Sequence, residues 1–278
     1  MKYGYSFFAL LLLSCGNPQK VIKIKGSDTE VNLAVNLAEQ FNKVNREFSV
    51  AISGGGSGVG IASLFNGQAD IANSSRPLTE EETALFRQKN IDTKTVIFAE
   101  DATAFIVHKS CPLDTIDVAT LSKILNGKYS TWESITGQDL PVTIYGRQSN
   151  SGTHSFIQRK LGIKFSRNAK EMNGNAQILE AVKLDPSAIG YVGAGYISHD
   201  LASKSSAIKV LRIADKIGAI AVSPLDVVEI QNHHYYFQRP LYQFIPTGSW
   251  NKVQSFIQFE MSKEGKALIQ KEGYYIVQ

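Results

Sequence analysis

Three short segments of this 278-residue chain place glycine beside hydroxyl side chains, each after an extended apolar stretch and before a helical one. Ser27, Asp28 and Thr29 follow Gly26 at the end of residues 21–25. Ser57 follows Gly54-Gly55-Gly56 after residues 48–52. Ser151, Gly152 and Thr153 follow Gly146-Arg147-Gln148-Ser149-Asn150 after residues 141–145. The first turn of a helix carries N–H groups without intrahelical partners and the positive end of the helix dipole. Glycine lets backbone approach a ligand closely, and serine or threonine adds a neutral donor. Together these groups replace the water shell of an oxyanion. One such turn is explained by ordinary N-capping. Three of them, one containing Arg147, point to an anion site, because a guanidinium offers a planar fork that fits a tetrahedral oxyanion. A fourth segment, Asn73-Ser74-Ser75-Arg76-Pro77, fits two readings. Ser75 and Arg76 are further anion contacts, or the segment is a turn with a surface arginine and a proline that opens a helix.

Other chemistries find little support. The glycines at 54–60 contain neither G-x-G-x-x-G nor Gly-Lys-Ser/Thr, so dinucleotide and P-loop binding are not indicated. Val59 occupies the last position of what would be a G-x-S-x-G elbow around Ser57, which argues against a hydrolase. His154 adjoins Thr153, but neighbours in a helix do not face each other, so His154 is expected at the surface. His233-His234 lacks helical ligand spacing and an accompanying carboxylate or cysteine cluster. The sequence therefore indicates no catalytic set, no metal and no cofactor.

The elements that must position these turns alternate along the chain. Strand patterns at 21–25, 48–52, 69–72, 95–99, 104–108, 141–145, 188–192, 209–213 and 240–245 are interleaved with helical patterns. The helices fall at 31–44, 59–65, 79–89, 117–126, 153–161, 177–183, 250–258 and 263–272, with short turns after Thr131 and at 193–200. In 31–44, Val31, Leu33, Leu37, Ala38, Phe41 and Val44 come close to a 3.6-residue period. Such alternation predicts an α/β fold with a largely parallel sheet, in which ligands sit at the carboxyl ends of strands.

Bulk composition agrees with a folded protein: 43% of residues are hydrophobic and 19% charged. A net charge of +4, scattered along the chain, is too small to argue for nucleic acid. At the N-terminus, Lys2 precedes a short apolar run, Phe7 to Leu13, far below the roughly 20 residues of a membrane span. Leu12-Leu13-Ser14-Cys15-Gly16 resembles a bacterial lipobox. Residues 1–14 are thus expected to be a cleaved lipoprotein signal, Cys15 the lipidated residue and 15–20 a tether, so that the protein is exported and membrane-anchored. The alternative is a plain secretory signal with an incidental cysteine. Cys111 is the remaining cysteine, so no disulfide framework is expected, and its thiol reads as an inert, partly buried side chain.

In order and spacing, these segments resemble the phosphate-binding proteins of phosphate ABC importers (PstS-type). The resemblance rests on Gly26-Ser27-Asp28-Thr29, Gly56-Ser57-Gly58, residues 69–78, Ala188-Ile189-Gly190-Tyr191-Val192-Gly193 and Arg239-Pro240-Leu241-Tyr242. Its most specific element is Arg147 placed ahead of Ser151-Gly152-Thr153. It covers nearly the whole chain beyond the leader. It implies a two-lobe periplasmic-binding-protein-like fold, each lobe a mixed sheet flanked by helices. Lobe one would be 21–100 plus 224–278, lobe two 101–223, with hinge crossings near 101–104 and 219–223. The family captures inorganic phosphate between the lobes and delivers it to a membrane permease without chemistry, here as a monomer. By position, Ser27 to Thr29, Ser57, Ser151, Gly152 and Thr153 would donate to the anion and Arg147 would pair with its charge. Ser75 stands where some members carry an aspartate that accepts the phosphate proton. The acceptor must then lie elsewhere, and Asp101 and Asp28 are the candidates. Asp101 fits equally a hinge hydrogen bond, and Asp28 a helix N-terminal charge. Another tetrahedral oxyanion, sulfate or molybdate, remains the alternative ligand, and a phosphatase on the same fold the more distant one.

Overall fold

The computed structural model describes residues 20–201 and 206–277. Cys15 and the leader lie outside the described residues, and the tether does so up to Lys20. The chain opens with β1 (Lys20–Gly26), α1 (Val31–Val44), β2 (Phe48–Ser53), α2 (Ser57–Phe65), β3 (Ile71–Ser74) and α3 (Glu80–Gln88). It continues through β4 (Thr93–His108), β5 (Thr115–Asp117), α4 (Val118–Leu125), α5 (Glu133–Thr136), β6 (Thr143–Arg147) and α6 (Gly152–Leu161). Then follow β7 (Lys170–Met172), α7 (Asn175–Leu184), β8 (Ala188–Gly193), α8 (Ala194–Leu201), β9 (Ile208–Val210), β10 (Arg212–Ala214) and α9 (Val227–Gln231). The chain closes with β11 (Gln238–Pro246), α10 (Trp250–Glu260) and α11 (Lys263–Lys271).

The strands form a mixed sheet in the order β2-β1-β3-β11-β4-β8-β6-β7, with β9 pairing on β4; β5 and β10 pair separately. β1 runs parallel to β2 and β3, and β6 runs parallel to β7 and β8, while β11 and β4 supply the antiparallel pairs. Where the sequence suggests two strands, 95–99 and 104–108, the structure has one. Asp101 and Ala102 keep pairing, opposite Arg239 and Gln238, so the polar interruption does not break the strand. β4 then exchanges partners: Thr103 pairs with Gly193 of β8.

Each lobe has its own core. Alternation in β1 turns Ile22 and Ile24 inward, and the helical period of α1 buries Leu33, Leu37 and Phe41 against them and against Phe256 of α10. Phe105, Leu121, Trp132, Ile144, Ile189 and Tyr191 form the second core. Ile230, Tyr235 and Phe237 pack in that second core too. The stretch that follows the expected crossing at 219–223 thus shares a core with Phe105 and Leu121. Phe237 sets its ring edge-on to Phe105, 4.8 Å between centroids, and Tyr235 and Tyr236 pack on Phe237 in turn.

The turns between strands and helices follow from local sequence. Gly26 has φ of +144°, and a side chain there would run into the carbonyl of Asn73 on the paired strand. Thr79 and Glu82 form a capping box that starts α3. Asp117, Ser151, Asp226 and Ser262 cap α4, α6, α9 and α11 with their side chains.

Candidate anion-binding site

The N-termini of α1 and α2 from one lobe and of α6 from the other meet in a single buried cluster. Ser27, Thr29, Ser57, Ser75, Ser151 and Thr153 are all at most 3% exposed. The Ser27 hydroxyl lies 3.2 Å from that of Ser75, and the Ser57 hydroxyl 3.5 Å from it. Ser57 Oγ also accepts from the Ser75 N–H at 3.1 Å. Across the lobes, Thr29 Oγ1 and Thr153 Oγ1 are 3.0 Å apart. Gly152 has no room for a side chain: a Cβ there would overlap the Ser57 and Ser75 hydroxyls. The three glycine-hydroxyl turns and Ser75 are thus brought together.

The charges are arranged in two ion pairs. Asp28 Oδ2 accepts from Arg147 Nη1 at 3.0 Å, from the Asn175 N–H at 2.8 Å and from Asn175 Nδ2 at 2.7 Å. Since Asp28 precedes α1 while Arg147 and Asn175 belong to the opposite lobe, this pair ties the cleft shut. Arg147 Nη2 donates to the Asn173 carbonyl at 2.9 Å, and its Nε is buried without a partner. Burial lowers the pKa of Arg147, and Asp28 opposes that shift. Arg76, by contrast, turns aside: both its terminal nitrogens donate to Glu82, each at 2.7 Å. It holds the start of α3 rather than entering the hydroxyl cluster.

The second pair is Arg239 with Asp101. Arg239 Nε and Nη2 donate to Asp101 Oδ2 at 3.0 and 2.8 Å, and the side chains are 2% and 0% exposed. Arg239 Nη2 also reaches Thr153 Oγ1 at 3.1 Å and Thr29 Oγ1 at 3.3 Å, so its guanidinium stands against both lobes' hydroxyls. Nη1 of Arg239 is buried without a hydrogen bond, whereas the backbone N–H groups of Ala102 and Ala194 also face the Asp101 carboxylate. A buried cationic donor left open is costly unless something else engages it. Burial raises the Asp101 pKa, and the Arg239 charge pulls it back.

Arg239 was assigned no role from sequence, and Glu30, fully buried beside Thr29, was not singled out. A signal for Arg239 exists: Arg239, Leu241, Gln243 and Ile245 share the buried face of β11, so a cation occupies a period-two core position. His154, expected at the surface, is half-buried, with Nδ1 3.0 Å from the Arg147 carbonyl and its ring 4.6 Å from that of Phe165. Among the described residues no group of three or more His, Cys, Asp or Glu could hold a metal, and Cys111 is a buried free thiol.

Chemically, the arrangement can wrap a small tetrahedral anion in hydroxyls, helix N-termini and one guanidinium, with the Asp101 carboxylate held behind that guanidinium. Comparison with known proteins bears on the same point. Residues 15–264 match a family model described as a PBP superfamily domain. The phosphate-binding protein PstS of Borreliella burgdorferi is 30% identical over 276 residues, covering 95% of this chain and 93% of that protein. The PstS of Pseudomonas aeruginosa PAO1 is 28% identical over 268 residues, covering 90% of this chain and 80% of that protein. A Clostridium perfringens ABC transporter substrate-binding protein, solved with bound phosphate, is similar in structure: TM-score 0.82 at 25% identity, covering 93% of this chain and 100% of that one. An ABC-type phosphate transport receptor from Vibrio cholerae gives a TM-score of 0.71 at 26% identity, covering 93% of this chain and 100% of that one. The expected two-lobe α/β architecture holds, and the chain belongs to the PstS-type phosphate-binding proteins of the PBP superfamily.

Proposed function

We propose that this protein is the substrate-binding component of an ABC importer, capturing inorganic phosphate between its lobes and handing it to a permease. The observation that carries the reading is the convergence of Ser27, Thr29, Ser57, Ser75, Gly152 and Thr153 in one buried cluster, with Arg239 Nη2 on the two threonine hydroxyls. Phosphate at neutral pH bears a proton, whereas sulfate does not. Asp101, fully buried beside Arg239, accepts that proton in place of the carboxylate that Ser75 lacks, and it repels an anion that brings no proton. Arg147 serves the closed state through Asp28, with its Nε as a further donor. Lobe one then comprises 20–100 and 239–277, and lobe two 103–237.

The function is capture and release without a reaction, by a monomer. The leader delivers the chain across the membrane and Cys15 anchors it there by lipid, on the side where solute is gathered. Isothermal titration with phosphate, sulfate and molybdate tests the ligand. Phosphate should bind at least a hundredfold tighter than sulfate, a gap of about 2.7 kcal/mol. Equal affinity for the three anions, or a preference for molybdate, overturns the assignment. Release of product from a chromogenic phosphate ester would contradict the non-enzymatic reading.

A further inference from the structure

Glu30 is a buried carboxylic acid at the edge of the hydroxyl cluster, next in sequence to Thr29. Its side chain is 0% exposed, and its carboxyl has the Ser27 hydroxyl beside it but makes no hydrogen bond of normal geometry. It follows Thr29 directly and is the N-cap residue of α1, yet its side chain does not cap the helix. The charged and titratable groups around it come from every neighbouring element. These are Asp28 on its own turn, Asp101 on β4, Arg239 on β11, Tyr196 on α8, and Tyr274, whose hydroxyl donates to the Thr29 carbonyl.

A charge count shows the difficulty. Arg239 is already paired with Asp101, and Arg147 with Asp28. An ionised Glu30 would be a third carboxylate against two cations, before any anion arrives. Bringing phosphate into the same dry space would add like charge to a site with no cation to spare, which desolvation makes more severe. We infer that Glu30 couples anion capture to proton binding: phosphate entering beside Ser27, Thr29 and Arg239 is accompanied by a proton on the Glu30 carboxyl. The inference rests on the phosphate reading above. Glu30 is a positioning residue in this scheme, acting on the anion through the charge balance of Arg239 and Asp101. Burial raises its pKa well above the usual carboxylate range, with Arg239 opposing, which supports the same direction. The sign follows. A bound anion favours the protonated form, so affinity is full where Glu30 is protonated and declines as rising pH ionises it in the free protein.

The test is phosphate calorimetry from neutral to alkaline pH, in buffers of different ionisation enthalpy, on the wild type and on Glu30→Gln. Comparing the two proteins cancels the titration of phosphate itself. Wild-type protein should take up more protons per phosphate than the variant. Its affinity should fall more steeply with pH, by up to about tenfold per unit, one proton's worth of linkage. Superimposed pH profiles and equal proton uptake overturn the coupling while leaving the phosphate reading intact. No phosphate binding by the wild type at any pH overturns both. Should Glu30→Gln not fold, infrared difference spectra of wild-type protein labelled with 13C-glutamate decide the matter. Phosphate should increase the protonated-carboxyl band of glutamate at alkaline pH, and an unchanged band overturns the proposal.

Discussion

Replacing Arg239 by glutamine probes the site where its charges are driest. The guanidinium makes two bonds to Asp101 Oδ2, at 3.0 and 2.8 Å, and one to each threonine hydroxyl across the cleft. Removing it leaves the Asp101 carboxylate buried and uncompensated, which costs about 3–5 kcal/mol. That is a large part of an ordinary domain's stability of roughly 5–15 kcal/mol. Burial already favours protonated Asp101, so the deficit of Arg239→Gln should shrink as the pH falls and the carboxyl takes a proton. Removing the carboxylate as well, in Asp101→Asn/Arg239→Gln, should restore much of the lost stability at neutral pH. Affinity is a separate matter. The anion loses a charge-assisted hydrogen bond worth about 1.5–3 kcal/mol, or roughly tenfold to over a hundredfold in Kd, and the double variant should not recover it. Urea unfolding and phosphate calorimetry on both variants read the two effects independently. A single variant with wild-type midpoint and wild-type Kd would refute the reasoning, as would a double variant no more stable than the single one.

Gly152→Ala should fold normally yet bind phosphate at least tenfold more weakly, because its methyl group meets the Ser57 and Ser75 hydroxyls only when the lobes close. Small-angle scattering with saturating phosphate should show it more extended than the wild type. Asp28→Asn removes the charge that Arg147 and Asn175 grip across the cleft; a loss of about 1.5–2 kcal/mol in closure predicts phosphate affinity down roughly 10- to 30-fold by calorimetry. Glu260 is buried beside Gln243, and burial lifts its pKa to about 8. Its folded pKa exceeds its unfolded one, so the stability it allows is full below the unfolded value and is lost as pH rises toward the folded one. Glu260→Gln should therefore stabilise the protein by up to roughly 3 kcal/mol at pH 7, with the gain vanishing in acid, as measured by urea unfolding across pH.

Much of the architecture is readable from local pattern, and the exceptions have physical causes. Leu33, Leu37 and Phe41 recur at helical spacing because they face one core, and that period is visible in the residues alone. β5 and β7 are three residues long, too short for alternation to register. α9 has five residues and owes its start to the Asp226 cap. The hydroxyl turns are equally legible, since each is a local strand–glycine–helix unit. What escapes is pairing over distance. Asp101 and Arg239 stand 138 residues apart and Asp28 and Arg147 119 apart, and nothing local couples them. The sequence shows Arg147 beside the hydroxyl turn and so suggests an anion partner. The folded chain gives its terminal nitrogens to Asp28 and Asn173 and sets Arg239 against the hydroxyls instead. Arg76 likewise reads as a site cation from its neighbours, but Glu82, six residues on in the first turn of α3, claims it.

A crystal structure of the protein grown with phosphate tests the central claim most directly. One tetrahedral anion should lie between the lobes, within hydrogen-bond distance of Thr29, Ser57, Thr153 and Arg239 Nη1, with the Asp101 carboxylate facing one of its oxygens. An anion bound elsewhere, or held by Arg76 with Arg239 still enclosed by Asp101 and the threonines, would contradict it.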